Sequence, residues 1–174
     1  VPDGVFGVEV VTPEQSLIAG GATAVVLTTS VGEMTVLDGH TSLVGDVAPC
    51  EVRVDQADGG AQRLAVHGGF VQVDTSPGAA EGLAEGDGPL PGLSTRVTVL
   101  AGIAELAEEI DVERARAAKE AAEARLSELG GSRSGGPIGE SSEGGDPRDL
   151  ELLEATAALT RAELRIAVAS DASQ

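Results

Sequence analysis

Ile110-Asp111-Val112-Glu113-Arg114-Ala115 divides the chain into two kinds of sequence, and its reading decides the fold. The segment it opens, Val112–Leu129, has no Gly or Pro and one β-branched residue, Val112. It is built from Ala, Glu, Arg, Lys and Leu, the strongest helix formers. Asp111 is placed to cap this helix by accepting an otherwise unpaired backbone N–H, and Gly130-Gly131 is placed to end it. Upstream, the chain reads as short β-rich runs separated by turns.

Val5–Val11, Ala22–Thr29, Met34–Leu37 and Val97–Leu100 are rich in β-branched or aliphatic residues, as strands are. Glu51-Val52-Arg53-Val54-Asp55 alternates strictly, as a half-buried strand does. Gly20-Gly21 is expected to break one strand and Ala48-Pro49 to bend the chain. Gln62–Val66 and Phe70–Val73 are expected to be separate paired strands around His67-Gly68-Gly69, where the glycines signal a bulge or a close backbone approach. Asp38-Gly39-His40-Thr41 reads as a tight turn with positive φ at the glycine. About eight short strands at this spacing make an antiparallel sandwich or barrel.

After the first helix, 130–146 reads as a Gly/Ser-rich linker. Asp146-Pro147 supplies a cap and a first-turn proline for a second helix over about Arg148–Val168. Ala115, Ala118, Ala122, Leu126 and Leu129 on one helix and Leu150, Leu153, Ala157, Thr160 and Leu164 on the other suggest apolar stripes of a weakly held helical hairpin. The fold class is therefore α+β: an N-terminal antiparallel β-sandwich over 1–101, with a mobile Gly/Pro loop at 76–95, followed by a C-terminal two-helix hairpin over 102–174.

Composition narrows the function. The formal net charge is −18, which opposes sequence-independent nucleic-acid binding. There is no Trp or Tyr and two Phe, so the core must be aliphatic and no aromatic platform for bases exists. One cysteine, Cys50, excludes an internal disulfide and a cysteine-based zinc cluster. No apolar run approaches the ~20 residues needed to cross a bilayer, and no signal-like stretch opens the sequence, so the chain is expected to be cytosolic or held at a membrane through partners. No nucleophile–base pair, phosphate-cradling glycine loop or metal cluster is legible.

Asp111 and Arg114 share a helical face. They read either as a cap with a surface ion pair or as half of a nucleotide clamp. Arg161 and Arg165 stand four apart, and both can reach one phosphate if the second helix folds back. His40 reads as a turn residue, not a metal ligand, and His67 is given no chemistry.

The ordered set Val8-Glu9-Val10-Val11-Thr12-Pro13, Gly32-Glu33, Gly39-His40, Glu51-Val52-Arg53, Gly68-Gly69-Phe70-Val71-Gln72-Val73 and Val97–Ala101 resembles the epsilon subunit of the bacterial rotary proton-translocating ATP synthase. Ile110–Ala115 and Leu159–Val168 carry the resemblance into the helices. It implies a β-sandwich of about ten strands with a helical hairpin, in a non-catalytic subunit of the central rotor. It implies contact with the gamma subunit, the c-subunit ring and the catalytic beta subunits, at the cytoplasmic face of the membrane and without insertion. Glu33, Met34 and His40 fall where the family faces the c ring. Extended helices restrain ATP hydrolysis in the family. In some members regulatory ATP binds the folded hairpin, and Glu105, Ile110, Asp111, Arg114, Ala115, Arg161 and Arg165 match those contact positions. Three features depart from the pattern: Ala121 replaces a basic residue, Asp38 replaces a frequent Pro, and the interhelical linker is long. The competing reading is a free-standing ligand-binding sandwich with a coiled-coil dimerisation arm.

Overall fold

The computed structural model describes residues 4–80, 84–85, 88–89, 93–131 and 147–171. The linker expected at 130–146 lies outside them beyond Gly131, as does Asp146 with its capping role.

Seven strands form one sheet: β1 (Phe6–Val11), β2 (Ser16–Thr29), β3 (Gly32–Val36), β4 (Leu43–Gln56), β5 (Ala61–Thr75), β8 (Thr95–Ala101) and β9 (Ala104–Leu106). Within the expected loop, β6 (Ala84–Glu85) pairs with β7 (Gly88–Pro89). The main order is β1-β8-β5-β4-β2-β3, and β1 also pairs with β2, so the sheet closes on itself. One pairing departs from the expected antiparallel scheme. β1 runs parallel to β8, with Val8 opposite Val97 and Val10 opposite Val99. Both strands bury their alternate valines, as strands inside a closed sheet must. A crossover through most of the sandwich separates them, so no hairpin signal could announce the pairing.

The sequence suggested shorter strands than the structure contains. Gln62–Val66 and Phe70–Val73 are halves of the single strand β5, not a pair. β5 instead pairs along β4, from Leu43 opposite Val73 to Asp55 opposite Ala61. Its buried positions shift from Leu64 and Val66 to Val71 and Val73, from even to odd numbers. The shift falls at Gly68, whose φ of 102° is open to glycine. Gly69 makes the expected close approach: a Cβ there would lie 2.1 Å from the Leu100 carbonyl oxygen. At this point β5 changes partner, from β9 at Leu64–Val66 to β8 at Gly69–Thr75. Ala48-Pro49 in β4 and Gly20-Gly21 in β2 likewise lie within continuous strands and do not end them.

Phe6, Leu27, Leu64 and a set of fully buried valines fill the interior, as the scarcity of aromatics requires. After β9 the chain makes a short 3-10 turn, Ala107–Glu109, and enters α1 (Val112–Gly131); α2 spans Pro147–Asp171. Asp111 caps α1 as expected, its Oδ1 accepting the Arg114 backbone N–H at 2.9 Å. The apolar stripe of α2 is a correction. Leu150 and Leu153 are 60% and 66% exposed. The buried positions are Ala155, Ala162, Val168 and Ala169, and those of α1 include Ala115 and Ala122. Alanines seven apart line the buried side of each helix, so close backbone approach, not leucine packing, holds the pair.

Candidate functional site

The hairpin lies on the sandwich through a small apolar cluster: Ala65 of β5, Ala107, Ile110, and Val168 and Ala169 of α2, flanked by Val112 and Leu164. Five of these seven are alanine or stand at the edge of the cluster, so each contributes little buried area. Charge supplements it. Glu105 projects from β9 and takes Arg165 of α2 in a forked pair, with Arg165 Nε donating to both carboxylate oxygens at 2.9 and 3.1 Å and an outer guanidinium nitrogen donating to Oε1. The hydrogen bond from Arg165 holds the Glu105 carboxyl below its ordinary range, against the opposing effect of burial. Between the helices, Lys119 Nζ lies 3.1 Å from Glu163, and that contact holds the ammonium above its ordinary value. Arg125 reaches Glu151 at 2.7 Å.

Beside the Glu105–Arg165 pair is a cleft of about 370 Å³ lined by Glu105, Glu109, Asp111, Arg114, Ala115, Ala118 and Arg165. Five residues singled out in the sequence therefore meet in one place: Glu105, Asp111, Arg114, Ala115 and Arg165. Ile110 lies next to them in the apolar cluster. Arg161 stands one turn before Arg165, half-buried and outside the lining. The guanidiniums of Arg114 and Arg161 make no ion pair among the described residues. The cleft is at the small end of the range for small-molecule sites. Its wall carries three carboxylates against two guanidiniums, one of them engaged by Glu105. A polyanion held by Arg165 must displace that carboxylate or share the fork with it.

Sequence reasoning gave His67 no chemistry, yet it belongs to this region. Both ring nitrogens are buried without a hydrogen-bond partner. Burial, then the nearby Arg165 and Arg161, push its pKa below the ordinary value, against the pull of Glu105. The alternation of β5 puts His67 on the same face as Ala65, but nothing in the sequence says that α2 covers that face.

The second set of expected contacts lies elsewhere. Glu33 and Met34 are on β3, exposed and half-buried respectively, and His40 is in the turn beyond that strand. Gly39 has the expected positive φ, 75°. The turn is fastened by Thr95, whose hydroxyl accepts the Gly39 N–H at 3.0 Å and donates to Asp38 Oδ1 at 2.9 Å. Thr75 donates to the His40 carbonyl at 2.5 Å. Asp38, in place of a proline, thus gives the turn a side-chain anchor.

The class follows from the two parts. Residues 5–77 match the family described as "ATP synthase, Delta/Epsilon chain, beta-sandwich domain", and residues 108–170 match "ATP synthase, Delta/Epsilon chain, long alpha-helix domain". Among similar proteins, the ATP synthase epsilon chain of Desulforapulum autotrophicum is 37% identical over 160 residues, covering 92% of each chain. That of Thermobifida fusca is 46% identical over 118 residues, 67% of this chain and 73% of its own. A chain in the mitochondrial ATP synthase structure of Euglena gracilis, at 21% identity and TM-score 0.64, shares the fold over 96% of this chain and 82% of its own. The chain belongs to the ATP synthase epsilon chain family. Membership sets aside the free-standing sandwich with a dimerisation arm.

Proposed function

We propose that this chain is a non-catalytic central-rotor subunit of a proton-translocating ATP synthase that couples proton flow to ATP synthesis and whose hairpin regulates ATP hydrolysis. In this reading the sandwich binds the gamma subunit, presents Glu33, Met34 and His40 to the c ring, and sits at the cytoplasmic face of the membrane. No described helix is long and apolar enough to cross a membrane, in keeping with a peripheral place in the complex. Released helices would extend along gamma towards the catalytic beta subunits and restrain hydrolysis.

One observation carries the regulatory part. The hairpin is docked on the sandwich by a few small apolar side chains and one forked ion pair, a contact weak enough to exchange with another surface. The test adds the chain to a catalytic assembly lacking this subunit and measures ATP hydrolysis, alongside a form ending at Glu109 that retains β9. The full chain should slow hydrolysis and the short form should bind without slowing it. Equal inhibition by both forms would refute the hairpin's role.

A second reading concerns the cleft. The convergence of Asp111, Arg114, Ala115, Glu105 and Arg165, with Ile110 and Arg161 adjacent, favours nucleotide as a ligand that holds the hairpin down. Asp111 would take the adenine amino group, and Arg114, Arg161 and Arg165 the ribose and phosphates. Ligand at ~100 times its dissociation constant stabilises the bound state by ~2.7 kcal/mol. Calorimetric titration with ATP checks it: binding heat is expected, and its absence at millimolar nucleotide would overturn the reading.

A further inference from the structure

We propose that His67 makes docking of the helical hairpin pH-dependent, with protonation of its imidazole releasing α2 from the sandwich. This concerns the docking equilibrium and holds whether or not nucleotide occupies the cleft; only its consequence for hydrolysis rests on the regulatory role proposed above.

The geometry begins with β5. Ala65 packs against Val168 and Ala169 of α2, and His67, two residues on and before the phase shift at Gly68, points to the same side. On α2, Arg165 and Arg161 precede Val168 by three and seven residues and so share its face. The imidazole therefore lies under α2, and both its nitrogens are shut off from water with no partner. A neutral ring tolerates this position poorly, and a charged ring tolerates it worse.

The surrounding charges do not rescue the cation. From α2 it meets Arg161 and Arg165. From β9 it meets Glu105, whose carboxylate is already committed to Arg165. Arg114 of α1 acts on that same carboxylate. On β4 the residue opposite is the uncharged Pro49, and Glu51, opposite Ala65, is tied to Arg63. Two guanidiniums against one paired carboxylate leave the ring in a net positive setting.

The sign follows. His67 has its pKa lowered from 6.5 when docked, so the docked state holds fewer protons than the released state. Docking is fully favoured above the released value of about 6.5 and weakens as pH falls from there towards the docked value. Glu105, lowered from 4.5 by its partner, adds a loss of the same sign at more acidic pH. One proton taken up on release changes the docking equilibrium by up to about tenfold per pH unit. Acidification therefore frees the hairpin.

The test uses the isolated full-length chain carrying Val168→Cys, a thiol covered only when α2 is docked, with Ser170→Cys as an exposed reference at the same end of the helix. Maleimide labelling of Val168→Cys relative to Ser170→Cys should rise by up to about fivefold between pH 6.5 and 5.5. The ratio should stay level over that range when His67→Gln is added. A level ratio with His67 present, or an equal rise without it, overturns the proposal. Independently of any variant at His67, magnetic resonance can follow the ring itself, since the chain has two histidines and His40→Gln identifies the other. A midpoint below 6.5 is expected, and a midpoint at or above 6.5 overturns the proposal.

Discussion

Glu105 and Arg165 give the most quantitative handle on how the helices are held. Removing either partner alone leaves a charge at the interface without its complement, whereas removing both leaves none, so a double-mutant cycle separates the pair from its surroundings. The pair has forked geometry, with Nε donating to both carboxylate oxygens at 2.9 and 3.1 Å. The side chains remain 27% and 32% exposed. Exposed pairs contribute ~0–1 kcal/mol, and breaking a buried pair costs ~3–5 kcal/mol. One-third exposure places the coupling between these limits, at about 1–2 kcal/mol after allowance for solvent screening. The cycle of Glu105→Gln, Arg165→Gln and the double variant is read from urea unfolding followed by the helical circular dichroism signal, which reports chiefly on α1 and α2. Each single variant should lower the helical midpoint, and the double variant should lower it by less than the sum. Because Arg165 depresses the Glu105 pKa, the coupling is present above the ordinary value of 4.5 and is lost as pH falls through the lower docked value. A coupling indistinguishable from zero at pH 7, or one unchanged after Glu105 has been protonated, would refute the assignment of this pair as the latch.

Further substitutions test the scaffold around it. Gly69→Ala should destabilise the sandwich by about 1–3 kcal/mol, read as a lower melting temperature, because the new Cβ meets the backbone of β8 and not a movable side chain. Thr95→Val removes a fully buried hydroxyl that serves Gly39 and Asp38. It should cost about 1–3 kcal/mol and raise amide exchange at Gly39 and His40 before the rest of the sandwich responds. Asp111→Ala deletes the cap of α1 and should lower the helical midpoint by the equivalent of about 1 kcal/mol, leaving the strand signal in place.

Local chemistry made some elements legible in the sequence. Asp111 as a cap, the alternating strand around Val52 and the positive φ at Gly39 each depend on a few adjacent residues, and each is found where expected. The continuity of β2, β4 and β5 was not legible, because a glycine pair that bends a strand between partners has the same local signature as one that ends it. The parallel β1–β8 pairing depends on closure of the whole sheet. The buried face of α2 was misread because leucine periodicity outweighs alanine in any hydrophobicity count, whereas helices in close contact select the smaller side chain. At the cleft, Asp111 and Arg114 were visible as neighbours on one helix. The commitment of Arg165 to Glu105 and the burial of His67 depend on β9 and α2, which meet from 60 residues apart.

The rotor role is tested most directly by capture. The tagged full-length chain, mixed with the gamma subunit and the catalytic assembly, should be recovered in a complex containing gamma and should lower its ATP hydrolysis rate. Recovery as a homo-oligomer without gamma, with hydrolysis unaffected, would contradict the account.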